Sequence, residues 1–194
     1  MKNETLVDLY KKPQTVFTLK DISLWFPEVP YNNLKERMSY FARSGSIKKL
    51  IRGVYAKETY DVLELANKLY VPSYVSLETV LQRAGVTFQY YERIFAMSYL
   101  SREVVVDGHT VEYRRIKKEI LLNKQGIEEQ GVVVIATPER AFLDAVFLYK
   151  NYHFDNLSTL NWEKIMELKY IYASRIFSKR VEEYYQIHKE EDYA

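Results

Sequence analysis

The 194-residue sequence has no cysteine, which excludes disulfides and thiolate metal sites. That absence fits a reducing compartment. Histidine is scarce too: His109, His153 and His188 have no second histidine or carboxylate at zinc-ligand spacing on an expected helix. Each is expected at the surface or a hairpin tip, with no metal site and no cofactor. GxSxG, P-loop and GxGxxG motifs are all missing. The longest apolar stretches, 132–136 and 141–149, are too short or too interrupted to span a bilayer. The opening MKNETLVDLYKK carries acids early and lacks the apolar core of a secretory signal. A soluble, cytoplasmic chain without membrane contact is expected. No Gly/Ser-rich linker, internal repeat or low-complexity tract interrupts it.

What is present is a globular composition, with 47% hydrophobic and 28% charged residues. The length suits one large domain or two small ones. Eighteen tyrosines and nine phenylalanines supply aromatic area for the cores and for a partner surface. Charge is unevenly distributed: residues 1–57 carry a net +6 and residues 58–194 a net −4, within a chain of +2. This divides a basic N-terminal domain, 1–57, from an acidic C-terminal domain, 58–194, through a short ordered junction near 57–60. All of the excess sits in 30–57, PYNNLKERMSYFARSGSIKKLIRGVYAK, where seven cations face the single acid Glu36.

Local signals predict three helices and a hairpin in the first segment. Leu6, Val7, Leu9 and Tyr10 mark a short helix. Thr18, with Asp21 three residues on, marks the capped start of a second, whose core side is Leu19, Ile22, Leu24, Trp25 and Phe26. Pro27 and Pro30 end it. A third helix is predicted over 31–44, stopped by Gly45, with Tyr31, Leu34, Met38 and Phe41 as its buried stripe. Asn32, Asn33, Glu36, Ser39, Tyr40 and Arg43 lie opposite, flanked by Lys35 and Arg37. Two short strands, 46–51 and 54–56, meet through Arg52–Gly53.

The second segment alternates. Helices are predicted over 62–70 and 76–84, the latter capped by Ser76 and closed by Gly85. Strands are predicted at 94–100, 103–106 and 110–116, with Asp107–Gly108 as a hairpin turn, and at 132–135. Thr137–Pro138–Glu139 opens a helix to about 149. The tail, 150–194, is predicted to be a helical extension with a break near 170–173. Its tyrosine-rich acidic end, VEEYYQIHKEEDYA, reads equally as a solvated helix or as part of a protein-binding face.

A helix, a glycine stop and a basic hairpin form the arrangement of a winged helix-turn-helix. Asn32, Asn33, Ser39 and Arg43 carry groups that pair with base edges, and Lys35, Arg37, Lys48, Lys49 and Arg52 suit phosphates. Glu36 either accepts from cytosine or repels non-specific DNA. No catalytic site emerges. Glu139 and Asp144 are five apart and so more than a right angle apart on a helix, whereas Arg140 and Asp144 are placed for an intrahelical ion pair. The chain is not expected to be an enzyme.

Three segments in order, IKKLIRGVYAK, VPSYVSLETVLQRAGV and VVIATPERAFLDAVFLY, resemble AbiEi-type antitoxins over about residues 5–149. The more specific part of the likeness is Tyr74-Val75-Ser76-Leu77 together with Ala136-Thr137-Pro138-Glu139-Arg140-Ala141. The resemblance implies an α+β protein with an N-terminal winged helix-turn-helix and a mixed α/β antitoxin domain. It implies a transcriptional autoregulator of a toxin–antitoxin or phage-defence (abortive infection) operon. Such a regulator binds inverted repeats in its own promoter, as a monomer or a weak dimer that assembles on DNA. It also implies a functional partner, a nucleotidyltransferase-like toxin, without requiring a stable complex. The DNA-contact positions that it implies are Asn32, Asn33, Lys35, Arg37, Arg43, Lys48, Lys49 and Arg52. The rival expectation is a protein-interaction module whose winged helix no longer binds DNA and whose acidic second domain grips a partner.

Overall fold

Thr18 closes a capping box: its hydroxyl accepts from the Asp21 amide, and the Asp21 carboxylate accepts from the Thr18 amide. Around it the head is built in the order α1 (Lys2–Lys11), β1 (Val16–Thr18), α2 (Leu19–Trp25), α3 (Tyr31–Arg43), β2 (Lys48–Ile51) and β3 (Val54–Ala56). The computed structural model describes the backbone of residues 2–192 and the side chains of 5–190. The first residues of the N-terminal stretch and the last of the tyrosine-rich tail lie outside that range. The three short strands form an antiparallel sheet in the order β1-β3-β2. Beneath it Leu9, Phe17, Ile22, Leu34, Met38, Phe41, Ile47 and Tyr55 form the head's core.

Two expected core residues are exposed. Leu24 is 68% exposed because it lies about 200° around α2 from the buried Ile22. Tyr31 is 53% exposed: the first turn of α3 projects beyond the core, and burial begins at Leu34. β1 escapes the sequence, since three residues are too few to display alternation.

The body continues with α4 (Val62–Leu69), β4 (Ser73–Val75), α5 (Glu78–Arg83), β5 (Ile94–Ser98), β6 (Arg102–Val106), β7 (His109–Arg115), α6 (Lys118–Leu121), β8 (Ile127–Gln130), β9 (Val133–Ala136), α7 (Pro138–Leu148), α8 (Trp162–Leu168), a 3-10 turn (Lys169–Tyr172) and α9 (Arg175–Asp192). The strands form one mixed sheet in the order β6-β7-β5-β4-β9-β8. The β6–β7 hairpin turns at Asp107–Gly108, both with positive φ, as its two-residue loop requires. β4, β8 and α6 are additions to the elements expected from the sequence.

Helices cover both faces of this sheet. On β4, Ser73 turns its hydroxyl to the Ala66 carbonyl of α4, while the next residue, Tyr74, reaches Asp144 of α7. The described part of 150–192 is bound into the body's core through Trp162, Ile165, Tyr172, Phe177 and Val181. Tyr184 donates to the Tyr152 carbonyl, and Tyr185 lies against Trp162, so this part of the tail is packed rather than solvated. Among the described residues, no helix is long and apolar enough to cross a membrane.

Head and body share a third apolar cluster: Val16, Val54, Ala56, Leu65 and Val106. Beside it, the fully buried Glu64 of α4 accepts from the Thr15 amide and hydroxyl, both at 2.7 Å, and from the Val16 amide at 3.0 Å. Lys68 and Asp21 add an ion pair at 3.0 Å.

Candidate nucleic-acid interface

The apolar spacing of α3 decides which face is free. Leu34, Met38 and Phe41 point into the core, so Asn32, Glu36, Ser39 and Arg43, at positions i, i+4, i+7 and i+11, form a stripe on the far side. Asn33 and Tyr40 border it on one side and Lys35 on the other. The helix stops after Arg43, where Gly45 takes a positive φ and the Ser46 amide returns to the Phe41 carbonyl. The chain then enters the β2–β3 hairpin, which exposes Lys49 on a strand and Arg52 at the turn.

Six of the nine sequence-predicted residues keep their polar groups free among the described residues: Asn32, Asn33, Lys35 and Arg43 on α3, and Lys49 and Arg52 on the hairpin. The other three have partners within the molecule. Arg37 is half-buried and donates to the Thr5 hydroxyl at 2.9 Å, tying α3 to α1. The Ser39 hydroxyl donates to the Lys35 carbonyl at 2.9 Å. Lys48 turns toward the body, 3.6 Å from Asp107 and over the Tyr60 ring. Tyr60 also donates to Asp107 at 2.7 Å; that hydrogen bond first, then Lys48, holds the Asp107 carboxyl below the usual carboxylate range. Lys57, part of the same basic segment, donates to the Tyr10 and Lys12 carbonyls at the end of α1.

The other concentration of polar side chains lies deep in the body. Asp144 accepts from Ser76 at 2.8 Å, Tyr172 at 2.6 Å and Tyr74 at 3.0 Å, and stands 3.5 Å from Nε of Arg140. Arg140 donates onward to the carbonyls of Gln125 and Ile120 and to the Tyr74 hydroxyl. Burial, with Asp144 alongside, raises Tyr74 and Tyr172 far above the usual phenol range, so both remain protonated donors. Ser76, Arg140 and Asp144 are all fully buried, so the cluster presents no atom to a substrate.

Ser76 is therefore not the expected helix cap. Leu77 takes φ +54° and starts α5 later, which leaves Ser76 on the strand side facing α7. Thr137 does cap α7, with Pro138 at the first position. Gly126 is needed where it stands, since a Cβ there would lie 2.9 Å from Cβ of Arg140.

Glu139 points away from Asp144 and accepts from the Asn161 amide at 3.3 Å. His188 is partly exposed and stacks on Trp162 with centroids 5.2 Å apart. Among the described residues, no group of three or more His, Cys, Asp or Glu side chains is placed to hold a metal ion.

No protein-family profile matches the chain. No curated protein matches it either.

Proposed function

We propose that the chain is a DNA-binding transcriptional autoregulator and serves as the antitoxin of a toxin–antitoxin operon. The order helix, strand, helix, helix, hairpin supports reading the head as a winged helix-turn-helix, with α2 and α3 as the pair and β2–β3 as the wing. α3 enters the major groove. Asn32, Asn33 and Arg43 meet base edges, Asn suiting adenine and Arg guanine. Lys35, Lys49 and Arg52 neutralise phosphates and set the register.

The observation that carries this reading is the unpaired state of that face. Asn32, Asn33, Lys35, Arg43, Lys49 and Arg52 are exposed and have no partner among the described residues. In the Arg140–Asp144 cluster of the same molecule, the charged groups meet several partners.

The test is a gel shift with DNA from upstream of the chain's own gene. Arg43→Ala with Arg52→Ala is expected to abolish binding without lowering the melting temperature. Unchanged affinity would remove this face from the account.

The antitoxin role rests on the motif resemblance, and its test is separate. Co-expression with a nucleotidyltransferase-like product of the adjoining gene should relieve growth arrest. A second reading, direct grip of a partner protein, draws on Arg37 and Lys48 being engaged internally and on Phe88 and Tyr90 standing about 70% exposed on the body. Co-purification with a partner and no shift of DNA would favour it.

A further inference from the structure

Glu36 sits near the middle of the free face of α3. At about 100° per residue, Asn32, Glu36 and Arg43 fall within about 40° of one another, opposite the buried Leu34 and Phe41. Its carboxylate has no cation to balance it among the described residues. The residues three and four positions away are Asn32, Asn33, Ser39 and Tyr40, and Glu36 makes no ion pair among the described residues. Lys35 and Arg37 are its neighbours in sequence and therefore do not face it.

An acid placed there weakens attraction to phosphate, which is the main source of non-specific affinity. It gains a partner only where the groove offers a donor. Guanine and the thymine carbonyl present acceptors in the major groove, and adenine sets the N7 acceptor beside its N6 amino group, which repels a carboxylate; cytosine presents the N4 amino group without an acceptor of its own beside it. We propose that Glu36 is a specificity-determining residue that accepts from the N4 amino group of a cytosine and penalises sequences that place an acceptor or a phosphate against it. This rests on the DNA-reading function above and goes further by naming a residue and its base.

Discrimination by repulsion is an efficient way to separate one site from many similar ones. At 1.5 Å per residue, Glu36 lies about 6 Å along the axis from Asn32 and about 10 Å from Arg43, or about two and three base-pair steps. The cytosine is therefore expected between an adenine met by Asn32 and a guanine met by Arg43.

The experiment is selection from a randomised duplex library with the full chain, wild type against Glu36→Gln, together with affinity for a scrambled duplex. Glutamine pairs with adenine, so one selected position should switch from cytosine to adenine. The scrambled duplex should be bound about tenfold more tightly by Glu36→Gln, because a like-charge contact has been removed. Glu36→Ala should select the same flanking bases with no preference at that position. Melting temperatures should not change, since the side chain is exposed.

Identical motifs from wild type and Glu36→Gln would overturn the proposal and make Glu36 a bystander. A uniform rise in affinity with an unchanged motif would also overturn it, leaving only bulk repulsion. In both cases wild type still selects a motif. A wild type that selects no motif and shifts no duplex removes the DNA-reading function itself, and the proposal with it.

Discussion

The free face of α3 and the Arg140–Asp144 cluster are built from similar residue types with opposite physics. In the cluster, Asp144 accepts three hydroxyl donors beside Arg140, and Tyr74 both donates to Asp144 and accepts from Arg140. Polar groups removed from water cost free energy unless they are paired. On α3, Asn32, Asn33, Glu36 and Arg43 stay in water and pair with nothing among the described residues. The most motif-like residues of the sequence, Ser76 and Arg140, thus tie β4, α7 and the 3-10 turn together. The plainer residues of α3 are those available to a ligand.

The largest effect should come from breaking the buried side of this comparison. Asp144→Ala leaves Arg140 as an uncompensated buried charge and should cost about 3–5 kcal/mol in denaturant unfolding. If the cost were within the range of an ordinary surface change, the cluster would not be a structural tie. Tyr172→Phe, which removes only one donor to Asp144, should cost about 1–2 kcal/mol in the same measurement.

Glu64→Ala addresses the junction between head and body. It strands the Thr15 and Val16 amides, so a loss of about 1–3 kcal/mol is expected, with amide exchange at β1 accelerated before that of the body's sheet. Equal protection of β1 in the variant would show that the apolar cluster alone seals the junction.

The smallest effect concerns Lys48, which belongs to the basic hairpin but is held by the body. Asp107→Asn should free it and raise DNA affinity at low salt by less than about fivefold. Because the folded Asp107 carboxyl titrates below its ordinary value, its contribution is present above the unfolded carboxylate range and fades as pH falls through the depressed folded value. The difference between variant and wild type should therefore be constant between about pH 6 and 8. A difference that varied across that range would assign the hold on Lys48 to another group.

Legibility in the sequence followed distance along the chain. The capping box at Thr18, the stop at Gly45, the Asp107–Gly108 turn and the Thr137–Pro138 start of α7 are each set by neighbours within a few residues, and all were readable. β1 and β4 were not, being three residues long and defined by partners elsewhere in the chain; β8 pairs with its neighbour β9 but is a polar edge strand, IEEQ, with no buried residue to mark it. The Ser76 error has the same origin: its partner Asp144 is 68 residues away, and only the turn at Leu77 reveals which way the hydroxyl points. The α3 face was legible in its residues and misjudged at two of them: Tyr31, at the start of the helix, is exposed, and Arg37, midway along it, is tied to α1 through Thr5.

In the proposed function, α3 reads bases while the hairpin meets phosphates. The most direct test is the salt dependence of duplex binding by wild type and by Lys49→Ala with Arg52→Ala. Two lost phosphate contacts should flatten the log–log slope by about two units and leave the selected sequence unchanged. An unchanged slope would contradict the account.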